Sequence, residues 1–350
     1  MTATDHIPRG GSFAILSLDV HGGDLGLQVT VPAAVDALNE DPKLSIILVG
    51  NQPDVEAALA EENTAPGDRL GLHHAPGILP MDAKPTAVLR RGQNSSMWHA
   101  LKLLESGDAS ACVSGGSTAA LMTLGVKLVG LLPGILRPAL MAHVPNAKGH
   151  TAMLDLGANL NVNARQLAQF AVMAYVTAQI ADRIENPRVG LLNVGHEDSK
   201  GHEVVREAAE LLKSLPMNYI GFIEGHDIFS GKVDIAVCDG FAGNLILKSS
   251  EGLVRLLVSE LRHALGSSIS GRMGGLLAAP SLRSLLARLD PSAHNGAPLL
   301  GLNGVVLKSH GGADRKAMTQ AILEAGREAR RRVPEKIEAS IQAFQLETDR

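Results

Sequence analysis

One pattern recurs through almost the whole chain: a short aliphatic run, a cluster of Gly, Asp, Asn or Ser, then a segment with helical periodicity. Residues 13–18 read as a strand running into Asp19-Val20-His21-Gly22-Gly23-Asp24, and residues 29–38 as the helix that follows. Residues 44–49 form a strand ending at Gly50-Asn51, and Pro53 opens a helix where an N–H is not needed. Residues 111–113, 152–156, 189–194, 235–238 and 305–308 read as further strands, each entering a polar, Gly-rich turn, and residues 164–184 read as a helix. Aliphatic strands alternating with helices predict a mostly parallel sheet covered on both faces. In such sheets ligands bind beyond the carboxyl ends of strands, where the Gly-rich clusters fall. With no short-period repeat and no long linker, the whole chain, 1–350, reads as a single α/β unit.

Composition narrows the function classes. Of 350 residues, 45% are hydrophobic but only 3% aromatic, while Gly numbers 37. The core is therefore aliphatic, and binding of nucleic acid by base stacking is not expected. The net charge of −4 argues against a generally cationic, phosphate-tracking surface, although a local basic patch is compatible with it. Cys112 and Cys238 sit in apolar runs and read as buried hydrophobes in a reducing compartment. Met1–Ser12 has no apolar stretch of the secretory kind. Residues 109–126 are uncharged, but Ser114-Gly115-Gly116-Ser117-Thr118 in their middle suits a strand, loop and helix better than a membrane span. The reading is a cytoplasmic protein.

Residues 250–290 stand apart as an excursion. Leu253, Leu256, Leu257, Leu261 and Leu265 fall at helical spacing, as do Leu282, Leu285, Leu286 and Leu289, with a Gly-softened apolar stretch, 266–280, between them. This predicts a helical hairpin that covers core or forms a dimer. Its tip would touch lipid through Leu276 and Leu277, with Arg272 and Arg283 near headgroups. Residues 80–85 are a second candidate excursion.

Several loops have the make-up of anion sites. Gly115 and Gly116 allow close backbone approach, and Ser117 and Thr118 add donors before a helix N-terminus, so the loop is either a tight turn or a phosphate cradle. It is not a Walker A loop, and no dinucleotide fingerprint or nucleophile elbow is present. Lys200, after Gly195-His196-Glu197-Asp198-Ser199, is either a solvated lysine or a holder of a phosphate dianion. Asn244 is either a helix N-cap or a polarising contact to a carbonyl or phosphate. Lys308-Ser309-His310 is a third polar strand end. Asp19, Asp24, Asp155 and Asp239 lie at strand ends too. They are read as groups that orient loop N–H groups and lysines in preference to Mg²⁺ ligands, because no definite ligand spacing is present. His73, His74 and His143 are read as structural.

The wording of the loops carries a resemblance. Asp19-Val-His-Gly-Gly-Asp24, Arg90-Arg-Gly-Gln-Asn-Ser-Ser-Met-Trp98, Asp155-Leu-Gly-Ala-Asn159, Val194-Gly-His-Glu-Asp-Ser-Lys-Gly201, Val237-Cys-Asp-Gly-Phe-Ala-Gly-Asn244 and the run Asn295 to Gly311 occur in this order. Together they resemble the bacterial acyl-ACP:phosphate acyltransferase family, PlsX, over residues 13–333. The resemblance implies a Rossmann-like αβα sandwich akin to phosphotransacetylases and isocitrate dehydrogenases. It implies reversible transfer of a long-chain fatty acyl group from acyl carrier protein to inorganic phosphate, giving acyl phosphate for phosphatidic acid synthesis. A homodimer follows from it, loosely attached to the inner face of the cell membrane, with no bound cofactor and with a glycerol-3-phosphate acyltransferase as a membrane partner. The family's active-site lysine and asparagine match Lys200 and Asn244. His310 is the candidate proton donor to the leaving thiolate. Substrate contacts are expected at Asp19, Gly22, Gly23, Asp24, Gly115, Gly116, Ser117, Thr118, Asp155, Asn159, Asp239, Gly240, Gly243, Lys308 and Ser309. The chain departs from the family pattern at His21, Ser117, Asn161, His196 and His294.

An acidic carrier protein docking on a net-negative chain needs a local basic surface. Arg327, Arg330, Arg331 and Arg332 are the densest run, followed by Arg262, Arg272 and Arg283. The rival functions are a short-chain phosphotransacetylase, an NAD- and metal-dependent dehydrogenase of the same fold group, and a non-enzymatic scaffold.

Overall fold

The computed structural model describes residues 14–289, 295–344 and 346. The segment Met1–Ser12, Phe13, His294 and the side chain of Leu289 lie outside what is described. In chain order the elements are β1 (Ala14–Asp19), α1 (Leu27–Glu40), β2 (Leu44–Gly50), α2 (Gln52–Glu61), β3 (Leu70–His74), α3 (Pro85–Arg91), α4 (Ser96–Glu105), β4 (Ala111–Ser114) and α5 (Thr118–Leu128). The middle of the chain supplies β5 (Ala139–Asn146), β6 (Gly149–Leu154), α6 (Ala164–Thr177), β7 (Val189–Leu192), α7 (Glu203–Lys213), β8 (Tyr219–Ile223) and β9 (Ile235–Val237). The last third supplies α8 (Gly240–Gly266), α9 (Ile269–Leu289), β10 (Ala297–Leu300), β11 (Val305–Lys308), α10 (Arg315–Arg331) and α11 (Val333–Ala343).

The eleven strands among the described residues join one sheet in the order β3-β2-β1-β4-β11-β10-β5-β6-β9-β7-β8. The sheet is mostly parallel, as the alternating pattern predicts. β2 is buried at every residue, as a strand covered on both faces must be. Three consecutive junctions are antiparallel: β11 with β10, β10 with β5, and β5 with β6. An odd number of reversals makes the two parallel blocks, β3-β2-β1-β4-β11 and β6-β9-β7-β8, run in opposite directions. The Gly-rich strand ends therefore form two groups, one per block, rather than one row.

Strands β3, β5, β8 and β10 do not stand out in the sequence pattern. Tyr219–Ile223 and Ala139–Asn146 are only partly buried, and β10 carries Pro298, a residue that argues against a strand although it pairs with Leu307 here. Helix starts are set by side-chain caps. Ser95 caps α4, Asp314 caps α10, and Asn163 with Gln166 forms a capping box on α6. One apolar cluster joins the blocks: Val49, Met97, Cys112, Leu121 and Val306 pack with Leu140, Met153, Ala236 and Cys238, and Ala242, Ile246 and Leu247 of α8 lie against it.

The excursion at 250–290 is a pair of packed helices, but its turn is elsewhere than the sequence pattern places it. α8 already begins at Gly240, and α9 is helical from Ile269 onward, straight through Pro280. The connection is only Ser267-Ser268. Leu276 and Leu277 thus sit in the middle of α9 rather than at a tip, 78% and 83% exposed. The glycines at 271, 274 and 275 raise the cost of helix but do not outweigh the leucines and alanines around them.

Candidate active site

The first loop group is built on Asp19 at the end of β1. Its buried carboxylate accepts hydrogen bonds from Ser96 Oγ (2.5 Å) at the start of α4 and from Ser114 Oγ (2.6 Å) at the end of β4. Burial pushes the Asp19 carboxyl upward, against the pull of these two hydroxyls. Gly22 makes the join possible. A Cβ there would stand 2.7 Å from Asp19 Oδ2 and under 3 Å from the backbone nitrogens of Gly115 and Gly116. Gly23, at φ +98°, lies against Gly311 O, and Asp24 N donates to that same carbonyl (2.8 Å). The turns after β1, β4 and β11 therefore touch through backbone. Ser117 caps α5, accepting from Ala120 N, and Thr118 is the first residue of α5.

Lys308 closes this group. Its ammonium is buried and donates to Gly115 O (3.2 Å) and to Ser309 O. Burial pulls its pKa down to about 8; Asp24 and Asp19 oppose the shift, and Lys248 adds to it. Ser309 Oγ receives a hydrogen bond from Asn295 Nδ2 (2.7 Å), whose Oδ1 accepts from His310 N. Gly312 N donates to His310 Nδ1 (3.1 Å), which leaves Nε2 to carry the ring proton in the neutral form.

The second group is built on Asp155 at the end of β6. Its carboxylate accepts from Leu140 N, Ala158 N, Asn159 N and Asn159 Nδ2. Burial raises this carboxyl too, again against its donors. Asn159 O accepts from Gly240 N (2.8 Å). Gly240 and Gly243 let the first turn of α8 settle on this loop: a Cβ at Gly243 would lie 2.0 Å from Asp155 O. The cap of α8 is Asp239, accepting from Ala242 N (2.7 Å). Asn244 is thus not the N-cap but lies within the helix, its side chain exposed and resting on Gly157. Both Asp19 and Asp155 hold loops together through their donors.

Lys200 is exposed on the loop between β7 and α7, anchored by backbone contacts with Glu197 and Asn193. The contacts described do not bring it to either group. His21 Nε2 accepts from Asn51 N (3.0 Å), tying the end of β2 to the first group. His196 lies against the edge strand β8: its Nδ1 donates to Phe222 O, and Nε2 faces Glu224 and Asp227. Asn161 is exposed.

Sequence reasoning passed over Lys248. It lies four residues after Asn244, so the two share a face of α8. Asn244 touches the second group, and the charge of Lys248 is felt by Lys308 in the first. One helix face therefore spans both groups. The signal was present as an i, i+4 spacing, but nothing in the sequence says that α8 crosses between the blocks. Ser96 was passed over as well; in Ser95-Ser96 only the cap is legible.

The basic run on α10 is not a free patch. Arg327 pairs with Glu324, Arg330 with Asp41 and Arg332 with Glu335, while Arg331 donates to the carbonyls of Ile180 and Ala181. The chain's own acids and carbonyls engage it.

Comparison with known proteins matches these loops to a family. The family model described as fatty acid synthesis protein covers residues 14–336. A phosphate acyltransferase of Methylococcus capsulatus is 47% identical over 92% of this chain and 95% of its own length. That of Hydrogenovibrio crunogenus is 46% identical over 95% of this chain and 98% of its own. Among solved structures, a phosphotransacetylase from Streptococcus pyogenes superposes with a TM-score of 0.62 at 20% identity, covering 92% of this chain and 95% of that one. A branched-chain phosphotransacylase from Enterococcus faecalis does so with a TM-score of 0.56 at 14% identity, covering 91% and 99%. These two establish the shared fold. The sequence relatives establish more: the chain belongs to the phosphate acyltransferase family, a family of acyltransferases.

Proposed function

We propose that the chain transfers a long-chain fatty acyl group reversibly from the thioester of acyl carrier protein to inorganic phosphate. The acyl phosphate formed would feed phosphatidic acid synthesis. The support that carries this reading is the face of α8 bearing Asn244 and Lys248, which links two rigid loop groups. A phosphate oxygen attacks the thioester carbon, and a C–O bond forms. The tetrahedral oxyanion collapses, the C–S bond breaks, and the thiolate takes up a proton. Phosphate is itself the nucleophile, so the task of the protein is to hold a dianion against an acyl carbon. Lys200, Lys248 and the buried Lys308 would supply positive charge, with backbone N–H groups of the turns at Gly22–Asp24 and Gly115–Thr118 as donors. Asn244 would stabilise the oxyanion, and His310 Nε2–H would protonate the thiolate. On this reading no bound cofactor takes part in the step.

Acyl carrier protein would dock on a local basic surface, formed by the run Arg327, Arg330, Arg331 and Arg332 or by the hairpin cations Arg262, Arg272 and Arg283. Exposed apolar residues lie along both hairpin helices: Leu253, Leu256, Leu257 and Leu261 on α8, and Ile269, Met273, Leu276 and Leu277 on α9. Each set is one helical face. We assign these faces to a homodimer contact and to peripheral attachment at the inner face of the cell membrane, beside a glycerol-3-phosphate acyltransferase. No helix among the described residues is long and apolar enough to cross a membrane.

The test is phosphate-dependent release of free carrier protein from a long-chain acyl carrier protein. Lys200→Ala is expected to lower the rate at least about a hundredfold while the melting temperature stays within a degree or two, since this exposed side chain contributes little to stability. Release only from acetyl-CoA would instead favour a short-chain phosphotransacetylase.

A further inference from the structure

We propose that His143, His150 and Asp182 form a binding site for a zinc-class divalent cation, away from both loop groups. His143 on β5 pairs across the hairpin with Ala152, and His150 on β6 pairs with Pro145. Cross-strand partners point to the same side, and 143 and 145 share a face, so both imidazoles leave the same face of the hairpin. Their rings meet edge to face with centroids 4.5 Å apart. The carboxylate comes from a different element, a π-helical turn after α6, Ala178–Asp182. Asp182 Oδ2 is 3.1 Å from His143 Nε2, and Oδ1 is 3.7 Å from His150 Nε2. All three ligand atoms lie within 4.8 Å of one another. A tetrahedral zinc ion with bonds of about 2.0–2.1 Å needs ligand atoms roughly 3.3 Å apart. The two histidine–carboxylate distances, each to a different Asp182 oxygen, lie near that spacing, and the ion would replace the hydrogen bond between His143 Nε2 and Asp182 Oδ2.

Two further features support a cation here. Arg331 Nη1 donates to the carbonyls of Ile180 and Ala181, both at 2.9 Å, which fixes the turn that presents Asp182. A cavity of about 110 Å³ opens beside His143 and Asp182, lined also by Asn295, Gln320, Glu328 and the Glu324–Arg327 ion pair. It has room for a water as fourth ligand. Two imidazoles and one carboxylate select zinc, cobalt or nickel over magnesium or calcium, which prefer all-oxygen sets. The ion would fasten the β5–β6 hairpin, the antiparallel hinge of the sheet, to the end of α6. A second group, His196, His226 and Asp227, provides the control. Its histidines are exposed, and Asp227 already engages Lys232 and Glu224 N.

The full chain, stripped with a chelator and dialysed, is titrated with Zn²⁺ and separately with Co²⁺. The expected result is one saturable equivalent, a visible Co²⁺ spectrum of low coordination number, and a rise in melting temperature with Zn²⁺. His150→Gln and His143→Ala should each weaken binding at least about tenfold, whereas His226→Gln should not. His150 is 29% exposed, so its replacement is compatible with folding, and circular dichroism checks this. The proposal is overturned if the folded chain shows no saturable binding, or if binding survives both substitutions. Neither outcome depends on acyl transfer.

Discussion

Gly243 and Gly252 stand on the same helix, yet alanine should act on them in opposite directions. At Gly243 the new Cβ would fall on the Asp155 carbonyl and the Cys238 sulfur. Neither backbone nor buried thiol can withdraw, and a loss of about 3 kcal/mol or more in chemical denaturation is expected. At Gly252 nothing lies within 4 Å, so the higher helix propensity of alanine should add about 0.5–1 kcal/mol. Equal effects would mean that α8 does not seat on the Asp155 loop as described. Lys308 gives a prediction in pH. Its folded pKa of about 8 lies below the roughly 10.4 of an unfolded lysine. Between these values the unfolded chain holds the proton and the folded chain does not, so this group's contribution to stability rises with pH across that window and is least favourable below pH 8. Activity should move the other way, because positive charge beside the phosphate fades as pH climbs through about 8. Lys308→Arg stays charged and should lose this alkaline fall in rate. An unchanged profile in the variant would remove Lys308 from phosphate binding. At this scale the sequence was legible where a residue type admits few roles: glycines at close approaches and aspartates at strand ends. It was illegible where a role depends on a neighbour far along the chain, as for Ser96 under Asp19, Lys248 beside Lys308, or His143 beside Asp182.

Most elements could be read because each carries its own signal: an unbroken aliphatic run for β2, a proline at the start of α2, and helical periodicity for α6. The hairpin shows the limit of that reading. Four glycines at 266, 271, 274 and 275 and a proline at 280 look like a loop, but α9 forms through all but the first of them. A helix pair with leucines on both partners can carry a few poor helix formers. The result matters for function, since it converts an apolar tip into an apolar side. Leu276 and Leu277 lie mid-helix on the same side as Ile269 and Met273, so contact with lipid or with a second chain would occur lengthwise. Leu277→Asp should therefore reduce sedimentation with anionic vesicles, shift the chain toward monomer in analytical ultracentrifugation, or both, while leaving the loop groups and the melting of the sheet untouched. A charge in the Ser267-Ser268 connection, Ser268→Asp, should change neither. The reverse pattern would restore end-on insertion.

The opposed directions of the two strand blocks raise the question of whether the sheet behaves as one body. The antiparallel junctions through β10 and β5 are continuous, and a single apolar cluster crosses them. Cys112 lies in β4 of the first block and Cys238 just after β9 of the second, and both belong to that cluster. Burial pushes the Cys112 thiol up to about 12, and Cys238 upward as well, with the carboxylates of Asp239 and Asp155 adding to its shift. Neither thiol is poised to react while the fold is intact. Together they report on cooperativity. If the cluster couples the blocks, an aromatic disulfide reagent added in native buffer should titrate neither thiol. In increasing denaturant both should become reactive in one transition that coincides with loss of helix by circular dichroism. If each block opened on its own, one cysteine would react at lower denaturant than the other, and Cys112→Ala and Cys238→Ala would show which. Coincident exposure is the expected outcome. Any opening that uncovers Cys238 must lift the first turn of α8 from the Asp155 loop, and that same turn packs Ala242 against the cluster to which Cys112 belongs.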